Sequence, residues 1–219
     1  HDLKNPFNSL LGFSNLLIQN IEKYDTEKIK KFVGFINDSA KQTYNLLNNL
    51  LEWSRSQRNK IPFNPETTDL YYLIQDTYLL LNSSAEAKNI KIQLNVSEQI
   101  EIVADIEMTK TIIRNLISNA IKFTPENGTI TISAYKSGEI VIIEIADTGT
   151  GMNEKTKNSL FKIGETKSLP GTNGEQGTGF GLLLCKEFTD KHKGKINVES
   201  EEGKGSKFII ALPIEQHTK

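Results

Sequence analysis

Cysteine is nearly absent: Cys185 stands alone in 219 residues, so an intrachain disulfide and a cysteine-cluster metal site are both excluded. Histidine is almost as scarce, and His1, His192 and His217 are scattered, which argues against a zinc site. No excess of either charge exists. The formal net charge is -1, without the basic footprint on which nucleic-acid binding rests. Long apolar runs are missing as well: the stretch Ile140 to Ile145 is broken by Glu144, so no membrane contact is expected within these residues. No basic-then-apolar leader precedes the first motif, and a chain that starts inside an apparent helix reads as cut from something longer. What remains is ordinary for a soluble protein, 37% hydrophobic and 24% charged, with room for one large domain or two modest ones.

Apolar side chains recur three and four apart at Leu3, Phe7, Leu10, Leu17 and Ile21, with Leu11 and Ile18 widening the stripe. The pattern returns at Ile29, Phe32, Ile36, Thr43, Leu46, Leu50 and Trp53, after start signals at Asp25-Thr26. This predicts a helical hairpin, N-terminally truncated, over residues 1–56. Stripes that wide need further cover, which a symmetric dimer forming a four-helix bundle supplies and packing on the rest of the chain would also supply. Charged residues and Pro62 and Pro65 place a linker at 57–65.

Residues 66–215 follow a different grammar. A helix is expected from Leu70 to Lys88, a strand over Lys91 to Val96 and a short one over Ile102 to Ala104. Asp105 should cap a helix to about Ile121. Strands Gly128 to Tyr135 and Ile140 to Ala146 turn through Ser137-Gly138, a helix runs from Thr178 to Lys191, and Lys195 to Ser200 with Ser206 to Leu212 close as a hairpin. The fold class is therefore α+β: the N-terminal hairpin, then an α/β sandwich with one mixed sheet covered by helices.

Three local signals carry chemistry. Asn115, Asn119 and Lys122 share one helix face, opposite the core stripe of Ile112, Ile113, Leu116 and Ile117. An amide oxygen can ligate Mg²⁺ without adding charge, and a lysine can meet phosphate oxygens; an ordinary exposed polar face would look the same. Asp147-Thr148-Gly149-Thr150-Gly151 follows an apolar strand, where glycines free the backbone to approach a ligand and the carboxylate can accept from an amine. Gly177-Thr178-Gly179-Phe180-Gly181 leads into a helix whose N-terminal N–H groups suit phosphate. Between them, Gly164 to Gln176 has the composition of a mobile lid rather than a packed element.

At the other end, His1, Asn5, Asn8 and Gly12 share a helix face away from Leu3, Phe7 and Leu10. A neutral imidazole there is a nucleophile. Asp2 can accept the Nδ1 proton and direct attack through Nε2, and Pro6 leaves the Asp2 carbonyl unpaired and predicts local bending.

The joint order of these motifs resembles sensor histidine kinases of two-component systems, within the wider group of gyrase, Hsp90 and MutL ATPases. Asn115-Leu116-Ile117-Ser118-Asn119-Ala120-Ile121-Lys122-Phe123-Thr124-Pro125 looks like the family's asparagine box. By that resemblance Asn119 ligates Mg²⁺, and Asn115 and Lys122 approach the triphosphate of ATP. Asp147, Gly149 and Gly151 match the first glycine box, whose aspartate reads adenine. Leu160 to Gly164, with Phe161, matches the phenylalanine box loosely, Ile163 replacing a second aromatic. Gly177, Thr178, Gly179, Gly181 and Leu182 match the second glycine box, and Ser206 stands where threonine is commoner in the terminal strand motif. His1-Asp2-Leu3-Lys4-Asn5-Pro6 resembles the acceptor box, which implies His1 as the phosphorylated residue, Asp2 as acid/base and Asn5 as the positioner of water in dephosphorylating a response regulator. The resemblance implies a homodimeric protein-histidine kinase that passes its phosphoryl group to a receiver-domain aspartate, under an upstream sensor or signal-transmitting segment, in a cytoplasmic setting. Hydrolysing relatives carry a glutamate one turn before the metal-binding asparagine; Asn115 stands there and cannot act as a base. A conformational ATPase and a catalytically weak dimerising scaffold are the competing expectations.

Overall fold

The structure is a computed structural model that describes residues 4–57, 62–97, 99–162, 169–175, 177 and 179–215. Helices α1 (Lys4–Asn20) and α2 (Thr26–Gln57) form the expected hairpin. A single 3₁₀ turn, Ile21–Lys23, reverses the chain. The Asp25 carboxylate then accepts the Lys28 N–H at 2.7 Å and starts α2. An aromatic cluster closes the hairpin tip, with Phe13, Tyr24 and Phe35 joining Phe32 of the expected stripe: Phe13 lies 5.5 Å from Phe32 and 4.8 Å from Phe35, and Tyr24 meets Phe32 edge-on. Phe7, Leu11, Ile18, Val33, Tyr44 and Leu47 stay exposed, so the hairpin buries only part of its apolar surface within this chain. The Asp2 carbonyl, at which bending was expected, lies outside the described residues.

Beyond the linker, strand β1 (Glu66–Asp69) pairs antiparallel with β3 (Glu101–Ala104), register Glu66↔Ala104. This two-stranded unit was not expected as a separate sheet. The main sheet has five strands in the order β2-β4-β5-β7-β6, formed by β2 (Lys91–Val96), β4 (Thr129–Ser137), β5 (Ile140–Asp147), β6 (Lys195–Glu201) and β7 (Gly205–Pro213). It is mixed: β2 and β4 run parallel and the other pairs antiparallel. Residues alternate along it, and Ile130, Ile132, Ile143, Ile145, Phe208 and Ile210 bury one face.

That face is covered by α3 (Leu70–Glu86), α4 (Ile106–Phe123) and α6 (Gly181–Lys191). The Asp105 side chain caps α4 through Met108 N–H at 3.0 Å. Helix α6 starts at Gly181, later than the expected Thr178, because Gly179 adopts φ +72° and breaks helical geometry before it. A one-and-a-half-turn helix α5 (Glu154–Ser159) went unforeseen. Among the described residues, no helix is long and apolar enough to cross a membrane.

Candidate nucleotide site

Helix α4 supplies the first wall. Ile112, Ile113, Leu116 and Ile117 are fully buried and orient the helix so that Asn115, Asn119 and Lys122 stay half-exposed on its other side. Asn115 Nδ2 donates to the Thr111 carbonyl at 2.9 Å, which turns Oδ1 toward Gly181; a Cβ on Gly181 would sit 2.8 Å from that oxygen. A Cβ there would displace the Asn115 amide, so glycine at the start of α6 leaves that side chain in place. The Asn119 side chain makes no hydrogen bond among the described residues, so its amide oxygen is available. No cluster of three or more acidic, histidine or cysteine ligands exists among the described residues. A neutral amide oxygen suits a divalent ion that is shared with the oxygens of a ligand and water, as Mg²⁺ on a phosphate is. Asn119 fits that role.

Asp147 ends β5 opposite Ser206 on β7. Its Oδ1 accepts the Gly149 N–H at 2.8 Å and the Ser206 N–H at 3.3 Å. The other carboxylate oxygen accepts nothing among the described residues. Burial pushes its carboxyl pKa up, only partly offset by these two backbone donors. A buried carboxylate with one oxygen committed to the backbone and the other open is positioned to accept from a ligand amine.

The glycines around it also make room for the chain's own backbone. A Cβ on Gly149 would lie 2.5 Å from the Phe123 carbonyl and 2.6 Å from Asp147 Oδ1. Gly151, at φ +64°, faces the Glu201 carbonyl, and Gly205, at φ +93°, faces the Asp147 carbonyl. Each missing side chain makes room for the chain's own backbone, which locks the ends of β5 and β7 together and holds Asp147 still.

Part of the expected mobile lid is packed. Thr172 N–H donates to the Lys122 carbonyl at 3.0 Å, and its Oγ1 donates to the Thr124 carbonyl at 3.0 Å. Lys122 Nζ, expected at the triphosphate, instead donates to the Leu169 carbonyl at 2.6 Å and lies 4.5 Å from the Phe123 ring centroid. Its ammonium is partly desolvated, which lowers its pKa, while Glu175 pulls in the opposite direction. At the far side α6 begins without a side-chain cap, and Leu182 and Phe161 pack partly buried against the core. Ser206 Oγ lies 3.0 Å from Ser200 Oγ. Gly177 and Gly179 precede α6; Thr178 lies outside the described residues.

His1 and Asp2 also lie outside the described residues, and Asn5 is described only as backbone of α1. The structure accordingly brings Asn115 against Gly181 and Asp147 beside Ser206, and joins the end of α4 to the turn after β5 through Thr150 N–H and the Phe123 carbonyl. Sequence reasoning missed Lys88 and His192, both buried. Lys88 continues the spacing of Leu70, Leu73, Ile74, Thr77 and Ala85, and His192 continues that of Leu184, Cys185 and Phe188. A polar residue on an apolar stripe was the available signal.

Residues 104–216 match the family described as histidine kinase-, DNA gyrase B- and HSP90-like ATPase, and residues 1–59 match the His Kinase A (phospho-acceptor) domain. The non-motile and phage-resistance protein of Caulobacter vibrioides is 29% identical over 219 residues, covering 98% of this chain and 26% of the relative. Sensor protein SrrB of Staphylococcus aureus is 29% identical over 213 residues, covering 97% of this chain and 36% of the relative. Full-length ShkA in complex with AMPPNP shares the fold at TM-score 0.72 and 25% identity, over 100% of this chain and 45% of that one. The chain thus spans about a quarter to a third of the length of these curated relatives. With a phospho-acceptor hairpin followed by an ATPase domain of the gyrase and HSP90 type, it belongs to the two-domain histidine kinases.

Proposed function

We propose that this chain is the transmitter portion of a sensor kinase, which binds Mg-ATP between α4, α6 and the β5–β7 strand ends and transfers the γ-phosphoryl group to His1. The observation that carries the reading is Asp147: one oxygen is held by two backbone N–H groups and the other is open beside the Gly149 turn, the arrangement that an adenine amino group requires. Gly149, Gly151, Gly177, Thr178, Gly179, Gly181, Leu182, Phe161 and Ser206 are assigned to nucleotide binding, while Asn115 and Lys122 serve the triphosphate. Asn119 would hold Mg²⁺, which when bound neutralises charge on the phosphate oxygens as the group moves. That the ShkA structure is of a complex with AMPPNP supports nucleotide binding by this chain.

Attack runs from His1 Nε2 to the γ-phosphorus, forming a P–N bond and breaking the bond to the bridging oxygen of ADP. Asp2 holds the Nδ1 proton and stabilises the charged ring. Phosphohistidine then passes the group to an aspartate of a response-regulator receiver domain, and Asn5 positions water for the opposing phosphatase reaction, which hydrolyses that aspartyl phosphate and releases inorganic phosphate. Asn115 sits where a hydrolytic base would stand and cannot take a proton, so transfer is favoured over the gyrase-type cycle. We assign residues 1–56 to the dimerisation and acceptor hairpin, 57–65 to the linker and 66–215 to ATP binding. The exposed Phe7, Leu11, Ile18, Val33, Tyr44 and Leu47 are the surface on which two copies would form a four-helix bundle. An upstream sensory segment would set the balance between the two activities.

Incubation with γ-labelled ATP and Mg²⁺ tests this. The parent chain should yield an acid-labile phosphoprotein and His1→Gln none; label retained by the variant would overturn the acceptor assignment.

A further inference from the structure

The four carbonyls at the end of α4 have no partners within the helix, and each is satisfied from elsewhere. Thr124 O accepts from the Thr172 hydroxyl at 3.0 Å, Lys122 O from Thr172 N–H, and Phe123 O from Thr150 N–H. Ile121 O accepts from Lys88 Nζ at 2.8 Å. Lys88 belongs to the turn after α3, thirty-odd residues earlier, and is only 6% exposed. An ammonium has three N–H donors. Besides Ile121 O, those of Lys88 reach Thr172 Oγ1 at 2.7 Å and Glu175 Oε1 at 3.0 Å, with Lys122 O farther away at 3.3 Å. Burying such a charge without partners would be costly; here the negative end of the α4 dipole and one carboxylate hold it.

Residues 169–175 are therefore fastened to α4 by two lysines of different standing. Lys88 is buried and fully engaged. Lys122 is half-exposed, holds only the Leu169 carbonyl, and is the residue that phosphates would claim. We propose that Lys88 is a positioning residue for the nucleotide site: it keeps Thr172 and Glu175 anchored to α4, so that Lys122 can leave Leu169 for the phosphates. Lys88 has a second effect. Glu175 interacts electrostatically with both lysines, and Lys88 holds its carboxylate away from Lys122. Without Lys88, Glu175 turns to Lys122 and competes with the nucleotide for it. The role rests on the nucleotide-site reading, whereas the anchor itself does not.

The test uses the full chain as Lys88→Met, Glu175→Gln and the double variant. Glu175→Gln keeps every hydrogen bond to the α4 carbonyls, so it remains informative should Lys88→Met fold poorly. In nucleotide-free protein, hydrogen exchange at the Thr172 and Gly174 amides should rise about tenfold in Lys88→Met; unchanged exchange overturns the anchor. By titration calorimetry with Mg-AMPPNP, Lys88→Met should weaken binding about tenfold. KM for ATP in autophosphorylation should follow, with kcat within about twofold of the parent. A lower melting temperature with unchanged KM would reduce Lys88 to a structural residue and overturn the proposal. Adding Glu175→Gln to Lys88→Met should restore affinity to the Glu175→Gln level, because the competitor for Lys122 is gone; losses that simply add would refute the competition. If the parent binds no AMPPNP, the nucleotide reading and the positioning role fall together, while the exchange measurement still judges the anchor.

Discussion

Replacing Asp147 with asparagine should move affinity and stability in opposite directions. The amide oxygen can stay at the Oδ1 position, where it still accepts from Gly149 and Ser206. The NH₂ then occupies the place of the open oxygen and presents a donor to the adenine amino group, itself a donor. Loss of a hydrogen bond to a charged acceptor is worth about 1.5–3 kcal/mol, so Mg-AMPPNP binding should weaken roughly 10- to 150-fold. A 6-oxo purine triphosphate, which offers an acceptor at that position, should lose much less. Stability runs the other way. Burial raises the Asp147 pKa above that of an unfolded aspartate, so between the two values the folded chain keeps a proton that the unfolded chain has lost. Stability from this group therefore falls as pH rises through that window, and at pH 7 the ionised carboxylate is a net liability. The Asp147→Asn variant removes that charge, and its melting temperature at pH 7 should rise. Calorimetric titration and thermal melts on the same preparations decide the matter. A variant that binds AMPPNP within about twofold of the parent would refute adenine recognition, and a drop in both quantities would make the carboxylate a structural group.

Gly205→Ala combines a left-handed φ with a Cβ driven into the Asp147 carbonyl, and should cost about 3 kcal/mol or more. Gly203→Ala shares the positive φ but meets nothing, so its loss should be about 1 kcal/mol; equal melting temperatures for the two would sink the backbone-locking role of Gly205. His192 accepts the Asp105 N–H on Nε2 at 3.0 Å and donates from Nδ1 to the Phe188 carbonyl at 2.7 Å, which only the neutral ring can do. Burial lowers its pKa, so its contribution is complete above the unfolded value of about 6.5 and is lost as pH falls through the folded value. Denaturant melts should show that acid slope flattened in His192→Gln.

Whatever depends on near neighbours was legible in the chain. The buried stripe of α4 with its Asp105 cap, the hairpin turn at Ser137-Gly138 and the order of asparagine and glycine motifs all follow from periodicity and local turn chemistry, and the structure carries each of them. Long-range pairing was hidden. β1 finds β3 across α3 and β2, and nothing in Glu66–Asp69 names that partner. Likewise, glycine freedom at Gly149 and Gly151 read as access for a ligand, because sequence cannot say whose carbonyl fills the space of a missing Cβ. Lys88 read as the end of a helix and Lys122 as a phosphate contact. Lys88 finds acceptors at the end of α4 and in the segment holding Thr172 and Glu175, and Lys122 finds the Leu169 carbonyl; only packing brings these together. The residue types of the site were thus set by the chain itself; which atoms stay open for a ligand, and which the fold has already used, was decided by tertiary structure, because hydrogen-bond satisfaction is a property of everything that surrounds a group.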